Sequence, residues 1–433
     1  MKFIADLHLH SKYSRATSEK MTLEELDRWA DDKGILVIAT GDFTHPFWFK
    51  EIEKKLEPAE PGLFKLKKEF QLLTLKNKKA ETRFFLSVEI SSIYAKKGKM
   101  HRIHNLIFAP DLETVRKINN QLSLRGNLSS DGRPILGLDA EELAKIVLNI
   151  NPEIAIVPAH IWTPWFSLFG SMSGFDSIEE CFGNYRQYIF AGETGLSADP
   201  LMCWRLSQLD NLSLISNSDA HSLLHLGREA NIFDTELSYQ GIIKAIKSGS
   251  PNERKKQLNS FNLFLKTIEF YPEEGKYHYD GHRLCGVSFS PKETKKHKGI
   301  CPVCGQKLTI GVLNRVDQLA DREEGFRPFN AVPFLNLVPL DEIIAESLNL
   351  GKMTKSVKKE YENLIKEFGS EMKILLDIPV EEIALKNALV AEGIKRVREG
   401  KVFIKPGYDG VYGEIKIFEE NERKNLTLQK SLF

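Results

Sequence analysis

The chain has 433 residues, 42% hydrophobic and 27% charged, with 60 Lys and Arg against 59 Asp and Glu for a formal net charge of +1. That length exceeds what one ordinary core organises, so two or three domains are expected. The charge balance excludes a globally basic nucleic-acid binder, and apolar runs well short of the ~20 residues a span requires exclude a transmembrane helix.

In chain order, the first element is a strand, Ile4-Ala5-Asp6-Leu7-His8-Leu9-His10. Alternate side chains of a strand share a face, so His8 and His10 project together and their nitrogens can converge on one metal ion. Thr22-Leu23-Glu24-Glu25 has the form of a capping box, with Leu23, Leu26, Trp29 and Ala30 at helical spacing and Gly34 as terminator. The apolar run from Ile35 to Thr40 leads to Asp42 and His45. From Phe49 to Arg83 the chain is strongly charged, with Leu63, Leu66, Phe70 and Leu73 scattered through it, which predicts helices. Phe84 to Val88 leads to Glu89, His104 opens the run Asn105 to Ala109, and Gly126 to Gly137 is a polar loop with Asp131 and Arg133, preceded by Arg125. Asp139 caps a helix that feeds the strand ending at His160, Tyr188 to Gly192 ends at Glu193, and Leu212 to Ser218 ends at Asp219-Ala220-His221.

Taken alone, each of these residues reads as a satisfied core histidine or a turn-forming aspartate. Together, the six segments other than that of Glu193 deliver imidazole or carboxylate, each at the edge of an apolar run. Such a set suits zinc, manganese or iron and exceeds the needs of one tetrahedral ion, so two or three metals are expected. Adjacent cations acidify water and polarise a phosphoryl oxygen, which makes this a hydrolytic centre. Strands alternating with helices predict a barrel or parallel sheet with its chemistry at the carboxyl ends of the strands. The loop after His160 carries Trp162, Trp165, Phe166 and Phe169, which suit either stacking on an unpaired base or packing as a lid. Glu193 is placed to orient a ligand or touch substrate.

Beyond Gly249 the texture changes, and His282-Arg283-Leu284-Cys285 is followed by Cys301-Pro302-Val303-Cys304. That spacing predicts a structural zinc module, with His282 chosen over His278 and His297 by symmetry of spacing. Lys292 to Lys298 makes the module basic, as Lys97 and Arg102 do the stretch before His104. Helices are predicted over Leu340 to Leu350, Thr354 to Phe368 and Pro379 to Glu399, followed by a hairpin from Val402 to Phe418. The tail has the partial pattern of a sliding-clamp-binding box in Gln429, Leu432 and Phe433. The expected domains are 1–260, 261–325 and 326–433. Met1-Lys2-Phe3-Ile4 lacks a signal peptide's apolar region, and five cysteines including a Cys-x-x-Cys pair fit a reducing compartment, so a cytoplasmic protein is expected.

The series Asp6-Leu7-His8-Leu9-His10, Asp42 to His45, Glu89, His104, His160 and Asp219-Ala220-His221 resembles the motif set of the polymerase and histidinol phosphatase (PHP) superfamily. The second motif departs from the usual Thr-Asp-His, reading Thr40-Gly41-Asp42-Phe43-Thr44-His45, and Arg15 and Ala16 stand near where a further histidine is usual. The resemblance implies an α/β fold: a distorted barrel of seven strands and helices around a two- or three-metal phosphoesterase centre. In it His8, His10, Glu89 and Asp219 would hold one metal, Glu89, His104 and His160 a second, and His221 a third, with Asp42 and His45 in the same set. With Lys276 to Cys285, the Cys-Pro-Val-Cys knuckle and the terminal Pro406-Gly407-Tyr408-Asp409-Gly410-Val411-Tyr412-Gly413, the whole chain resembles the endonuclease Q family. That resemblance implies a nucleoid-associated, monomeric DNA repair endonuclease cutting 5′ of uracil, hypoxanthine, xanthine or an abasic site. Zinc, or else manganese or magnesium, would serve the catalytic centre, with one structural zinc beside it. Asp219, Glu89 and His10 would lie at the chemistry, and Arg15, Lys97, Arg102, Trp162, Trp165 and Glu193 against substrate. A small-molecule phosphomonoesterase and a non-catalytic DNA-binding scaffold are the other readings of the same chain.

Overall fold

The computed structural model describes residues 1–256, 263–419 and 422; Gln429, Leu432 and Phe433 lie outside the described residues. Eleven strands position the site. They are β1 (Lys2–Asp6), β2 (Val37–Ala39), β3 (Arg83–Phe85), β4 (Ser87–Lys96), β5 (Lys99–Phe108), β6 (Ala155–Pro158), β7 (Ala191–Glu193), β8 (Ser213–Ile215), β9 (Ala230–Asp234), β10 (Phe264–Glu269) and β11 (Phe334–Asn336).

β1, β2 and β3 pair in parallel, β4 and β5 form a long hairpin, β5 pairs with β6, and β7 with β8. The ring closes where Leu9 bridges Ala220 and the His10 N–H reaches the Ala220 carbonyl at 3.0 Å. Ala5, Leu7, Val37, Phe85, Leu106, Val157, Ala191 and Ile215 point inward from successive members into one buried cluster. The chain is thus the expected α/β barrel, a packed core with helices outside it. Leu23–Lys33 is the first of those helices. The Thr22 hydroxyl accepts the Glu25 N–H, and Gly34, at φ 86°, ends the helix. A Cβ at Gly34 would meet the Ser370 hydroxyl at 2.5 Å, so the turn also permits close approach of the C-terminal helices. The charged stretch after Phe49 differs from the prediction. Only Pro46–Lys55 is helical, and short strands at Leu56–Pro58 and Phe64–Leu66 extend the sheet beyond β3.

The sheet also runs past the boundary expected at residue 260. β9 pairs with β1 and with β10, and β10 takes β11 as a parallel neighbour. The cysteine module therefore leaves the sheet after Glu269 and returns at Phe334. Its own buried cluster is Val287, Cys301 and Leu308, with Cys285 and Phe289 packed on them. A core that small needs a metal staple. The C-terminal part packs its core against Ala230, Ile232 and Ile268 of β9 and β10, and consists of helices Leu340–Leu348, Lys355–Phe368, Glu371–Leu376, Val380–Ala384 and Ala388–Arg398, then a hairpin of Phe403–Lys405 with Glu414–Lys416. The single helix expected from Pro379 to Glu399 is divided because Asn387 caps a new start, its side chain accepting the Val390 N–H. Lys33 and Glu371, both buried, meet at 2.8 Å and tie these helices to the barrel. No helix of the described residues is long and apolar enough to cross a membrane.

Candidate metal centre

The segment after β1 carries His8 and His10 into the mouth of the barrel, where Glu89 of β4 and Asp219 beyond β8 meet them. His10 Nε2 lies 3.1 Å from Asp219 Oδ1 and 3.2 Å from Glu89 Oε2, and His8 Nε2 lies 3.5 and 3.7 Å from the same two oxygens. Ligands about 2.0–2.2 Å from a tetrahedral ion are separated by roughly 3.3–3.5 Å, so four atoms so spaced form a cradle for one cation. His8 Nε2, His10 Nε2 and Asp219 Oδ1 are buried without a hydrogen-bond partner. Orphan polar atoms converging on one point are what a cation satisfies.

Against the first cradle stands a second. Glu89 Oε1 lies 2.6 Å from His104 Nδ1 and 2.9 Å from His160 Nε2, and the two imidazole nitrogens are 3.2 Å apart. Glu89 thus turns one oxygen to each cradle, and the second, with three protein ligands, leaves a side open, the pattern of a catalytic site. The surrounding carboxylates favour positive charge at the first cradle, where a proton and a cation compete for the same nitrogens. Burial alone would lower the His8 and His10 pKa values, but Glu193, Asp219 and Glu89 hold His8, and Asp42, Asp219 and Glu89 hold His10, well above the ordinary range. Burial pushes His104 down to about 4, leaving a neutral imidazole with a free lone pair.

A further layer orients the ligands. The Glu193 oxygens each lie 3.1 Å from His8 Nδ1, and the carboxylate accepts the Asn217 amide at 2.8 Å and the His160 N–H at 2.9 Å. Asp42 Oδ1 lies 3.0 Å from His10 Nδ1, while its Oδ2 accepts the Ser11 N–H and hydroxyl at 2.7 Å each and the Ser14 hydroxyl at 2.8 Å. Each carboxylate fixes the tautomer that turns Nε2 toward the cradle. Asp42, His160 and Asp219 all have positive φ, at 49°, 30° and 46°. Non-glycine residues persist there only where their surroundings over-determine them, at about 1–3 kcal/mol each, and such residues cluster at functional sites.

The structure brings together His8, His10, Glu89, Asp219, His104 and His160, and corrects the remaining assignments. Asp42 is not a ligand, because its oxygens are occupied by His10, Ser11 and Ser14. Nor is His45: the longer second motif makes it the N-cap of the helix Pro46–Lys55, and its ring stacks on Tyr13 at 4.4 Å. His221 joins neither cradle, its Nδ1 lying 2.9 Å from the Asp219 carbonyl oxygen. Glu193 and Trp162 are fully buried, so neither meets substrate; the Trp162 N–H is directed at Cys203 Sγ, 3.3 Å away. Trp165 is 39% exposed, with its ring 6.2 Å from Tyr277 of the cysteine module. Arg15, Lys97 and Arg102 are exposed, Lys97 at the hairpin tip and Arg102 over the Phe166 ring. Arg133 was legible only as a charge in a polar loop, yet its Nη1 lies 3.0 Å from Glu89 Oε2. In the module, His282, Cys285, Cys301 and Cys304 bring their ligand atoms within 4.8 Å of one another, while His297 stacks on Phe289 and His278 on Tyr279.

An α/β barrel whose mouth holds two cation cradles sharing a carboxylate has the architecture of a metal-dependent hydrolytic centre. Residues 339–401 match the family described as MJ0043 C-terminal domain. The chain is 35% identical over 314 residues to an uncharacterised protein of Methanocaldococcus jannaschii, a match that takes in 69% of this chain and 38% of that protein; it therefore spans well under half the length of that relative. Identity to the uncharacterised protein YqxK of Bacillus subtilis is 30% over 322 residues, 72% of this chain and 74% of YqxK. Among solved structures, the lesion-specific endonuclease PfuEndoQ of Pyrococcus furiosus superposes with a TM-score of 0.83 at 33% identity, over 97% of this chain and 96% of its own. Endonuclease Q in complex with a 27-mer duplex substrate, an abasic lesion at the active site, superposes with a TM-score of 0.81 at 33% identity, over 97% and 98%. The chain belongs to the endonuclease Q family.

Proposed function

We propose that this protein is a DNA repair endonuclease that hydrolyses the phosphodiester 5′ of a deaminated base (uracil, hypoxanthine or xanthine) or of an abasic site, leaving a 3′ hydroxyl and a 5′ phosphate. The observation that carries the reading is the Glu89 carboxylate shared between two cradles, in a chain that aligns along 97% of its length with a lesion-specific endonuclease. His8, His10, Glu89 and Asp219 would hold one cation and Glu89, His104 and His160 another, zinc or manganese by the donor set. Cations bound there supply the Lewis acidity that activates water and polarises the phosphate.

The chain's own groups do the rest. Asp42 and Glu193 keep the His10 and His8 rings aimed inward. The exposed Arg15, Lys97 and Arg102 meet backbone phosphates of the duplex, and Trp165, exposed beside the cysteine module, offers a ring on which a displaced base stacks. The knuckle holds one zinc and presses its basic face, Lys292 to Lys298, on the same duplex. The protein is incubated with duplexes bearing one uracil, one hypoxanthine, one xanthine, one abasic site or none, and the product ends are mapped. Cutting confined to the lesion strand, abolished by Asp219→Ala while damaged-duplex binding persists, is the expected result. Turnover retained by Asp219→Ala, or hydrolysis of a chromogenic phosphomonoester in place of DNA, refutes it.

A further inference from the structure

The ligand segments do not account for every charge at the centre. Arg133 comes from the loop before the short strand Ile135–Leu136, and its Nη1 reaches Glu89 Oε2 at 3.0 Å, the oxygen that also faces His10. Glu89 has no exposed side-chain surface, whereas the Arg133 side chain is 26% exposed. The guanidinium therefore spans the wall of the site, with one edge on the shared carboxylate and the rest at the mouth. Among the described residues its side chain donates to Glu89 alone, so four of its five donors are left without a protein acceptor.

The loop that delivers it is held on both sides. Gly132 N–H bonds the Tyr13 carbonyl at 3.0 Å, Arg133 N–H bonds Asp131 Oδ1 at 3.1 Å, and the Pro134 carbonyl accepts the Ser91 N–H at 3.0 Å. Asp131 Oδ1 also accepts the Arg15 N–H at 3.3 Å. A Cβ at Gly132 would stand 2.3 Å from Asp42 Oδ2, so only glycine lets the loop lie this close to the carboxylate that orients His10. The remaining titratable side chains here are engaged by their neighbours: Asp42 by His10, Ser11 and Ser14, His45 against Tyr13, and His221 against the His10 ring with its Nδ1 on the Asp219 carbonyl. A permanent positive charge with a planar fork occupies the rim.

We propose that Arg133 is a catalytic residue that grips the non-bridging oxygens of the scissile phosphodiester from the rim beside Glu89, serving as a fixed cation next to the two metal cradles. The inference rests on the endonuclease reading above. In the hydrolysis the water oxygen bonds to phosphorus, the bond from phosphorus to the 3′ oxygen breaks, and that oxygen ends protonated. Arg133 donates hydrogen bonds and no proton. Its fork matches two phosphoryl oxygens, a fit that a lysine ammonium does not reproduce.

The test is single-turnover cleavage of an abasic-site duplex by metal-loaded wild type, Arg133→Gln and Arg133→Lys, with duplex affinity and bound metal measured on the same preparations. The expected result is a fall of about 10²- to 10³-fold in the cleavage rate constant for Arg133→Gln, a size typical of losing one preorganised donor. Arg133→Lys should be intermediate, with metal content kept and duplex affinity changed only a few-fold. Added guanidinium ion should partly restore Arg133→Gly. Loss of bound metal from Arg133→Gln makes the residue a support for Glu89 and overturns the proposal, as does an unchanged rate. A wild type that leaves the abasic duplex intact overturns the functional reading itself, and this assignment with it.

Discussion

Replacing Asp42 with Asn leaves the shape of the side chain and removes its charge. In the native protein Oδ2 accepts three donors from Ser11 and Ser14, while Oδ1 receives the proton on His10 Nδ1. An amide must keep its oxygen toward those three donors, since its NH2 cannot accept them. That turns the NH2 toward His10 Nδ1, which becomes an acceptor, and the ring proton moves to Nε2. Nε2 is then blocked as a ligand in the first cradle. Loss of such an outer partner costs about 10- to 100-fold in metal affinity, or about 1.4–2.8 kcal/mol. Competition with a chromophoric chelator, titrating zinc into the stripped protein, reads this directly. The expected outcome is one of two cations weakened by that factor, with cleavage recovering at high metal concentration. Equal affinity in Asp42→Asn and wild type would refute the tautomer argument, and complete loss of both cations would show that Asp42 is itself a ligand.

Three further outcomes are expected. Asp27 lies buried on the first helix with neither carboxylate oxygen hydrogen-bonded, and burial, helped by Asp31, pushes its pKa up to about 7. A raised folded pKa means stability present at low pH and lost as pH rises from about 4 through about 7; Asp27→Asn should thus be more stable than wild type at pH 8, by up to a few kcal/mol, with the gap shrinking to about a third of that at pH 5, as denaturant melts at the two pH values will show. Cys301→Ser should lower bound zinc by one equivalent and open residues 280–310 to limited proteolysis, because the module's buried cluster is too small to fold without its staple; resistance to protease equal to wild type would count against a structural metal there. Gly132→Ala should slow cleavage by displacing the Arg133 loop, since its Cβ would sit 2.3 Å from Asp42 Oδ2; a crystal structure of the variant with that loop unmoved would contradict the claim of tight approach.

Much of the centre was legible because its ligands stand where apolar runs end, and alternation alone puts His8 and His10 on one face. The capping pattern at Thr22 and the glycine at 34 likewise marked a helix without tertiary help. Distance in sequence hid the rest. Nothing local distinguishes Asp42, which faces His10 from 32 residues away, from a metal ligand, and Arg133 sits in a loop with no periodicity 44 residues from Glu89. Glu89 was expected near a strand terminus, but β4 continues through Ser91, Ser92 and Ile93 to a tip at Lys97 and Gly98, both with positive φ. Ser91 and Ser92 are buried there, inside the strand. Trp162 followed a ligand in a loop rich in rings, and only the fold shows that it points into the core beside Cys203.

The cysteine module departs from β10 and re-enters at β11, neighbours in parallel register with Thr267 opposite Phe334 and Glu269 opposite Asn336. It is therefore a cassette set into the edge of the catalytic sheet rather than a bead on the string after it. Strands of like direction cannot be joined by a tight turn, so any replacement must itself span a crossover of roughly a dozen residues. Because Val312 and Val316 of the inserted segment are buried in the barrel core, and Glu273 and Tyr279 bond the backbone at Gly407 in the C-terminal hairpin, an exchange at those two seams would also have to rebuild both contacts.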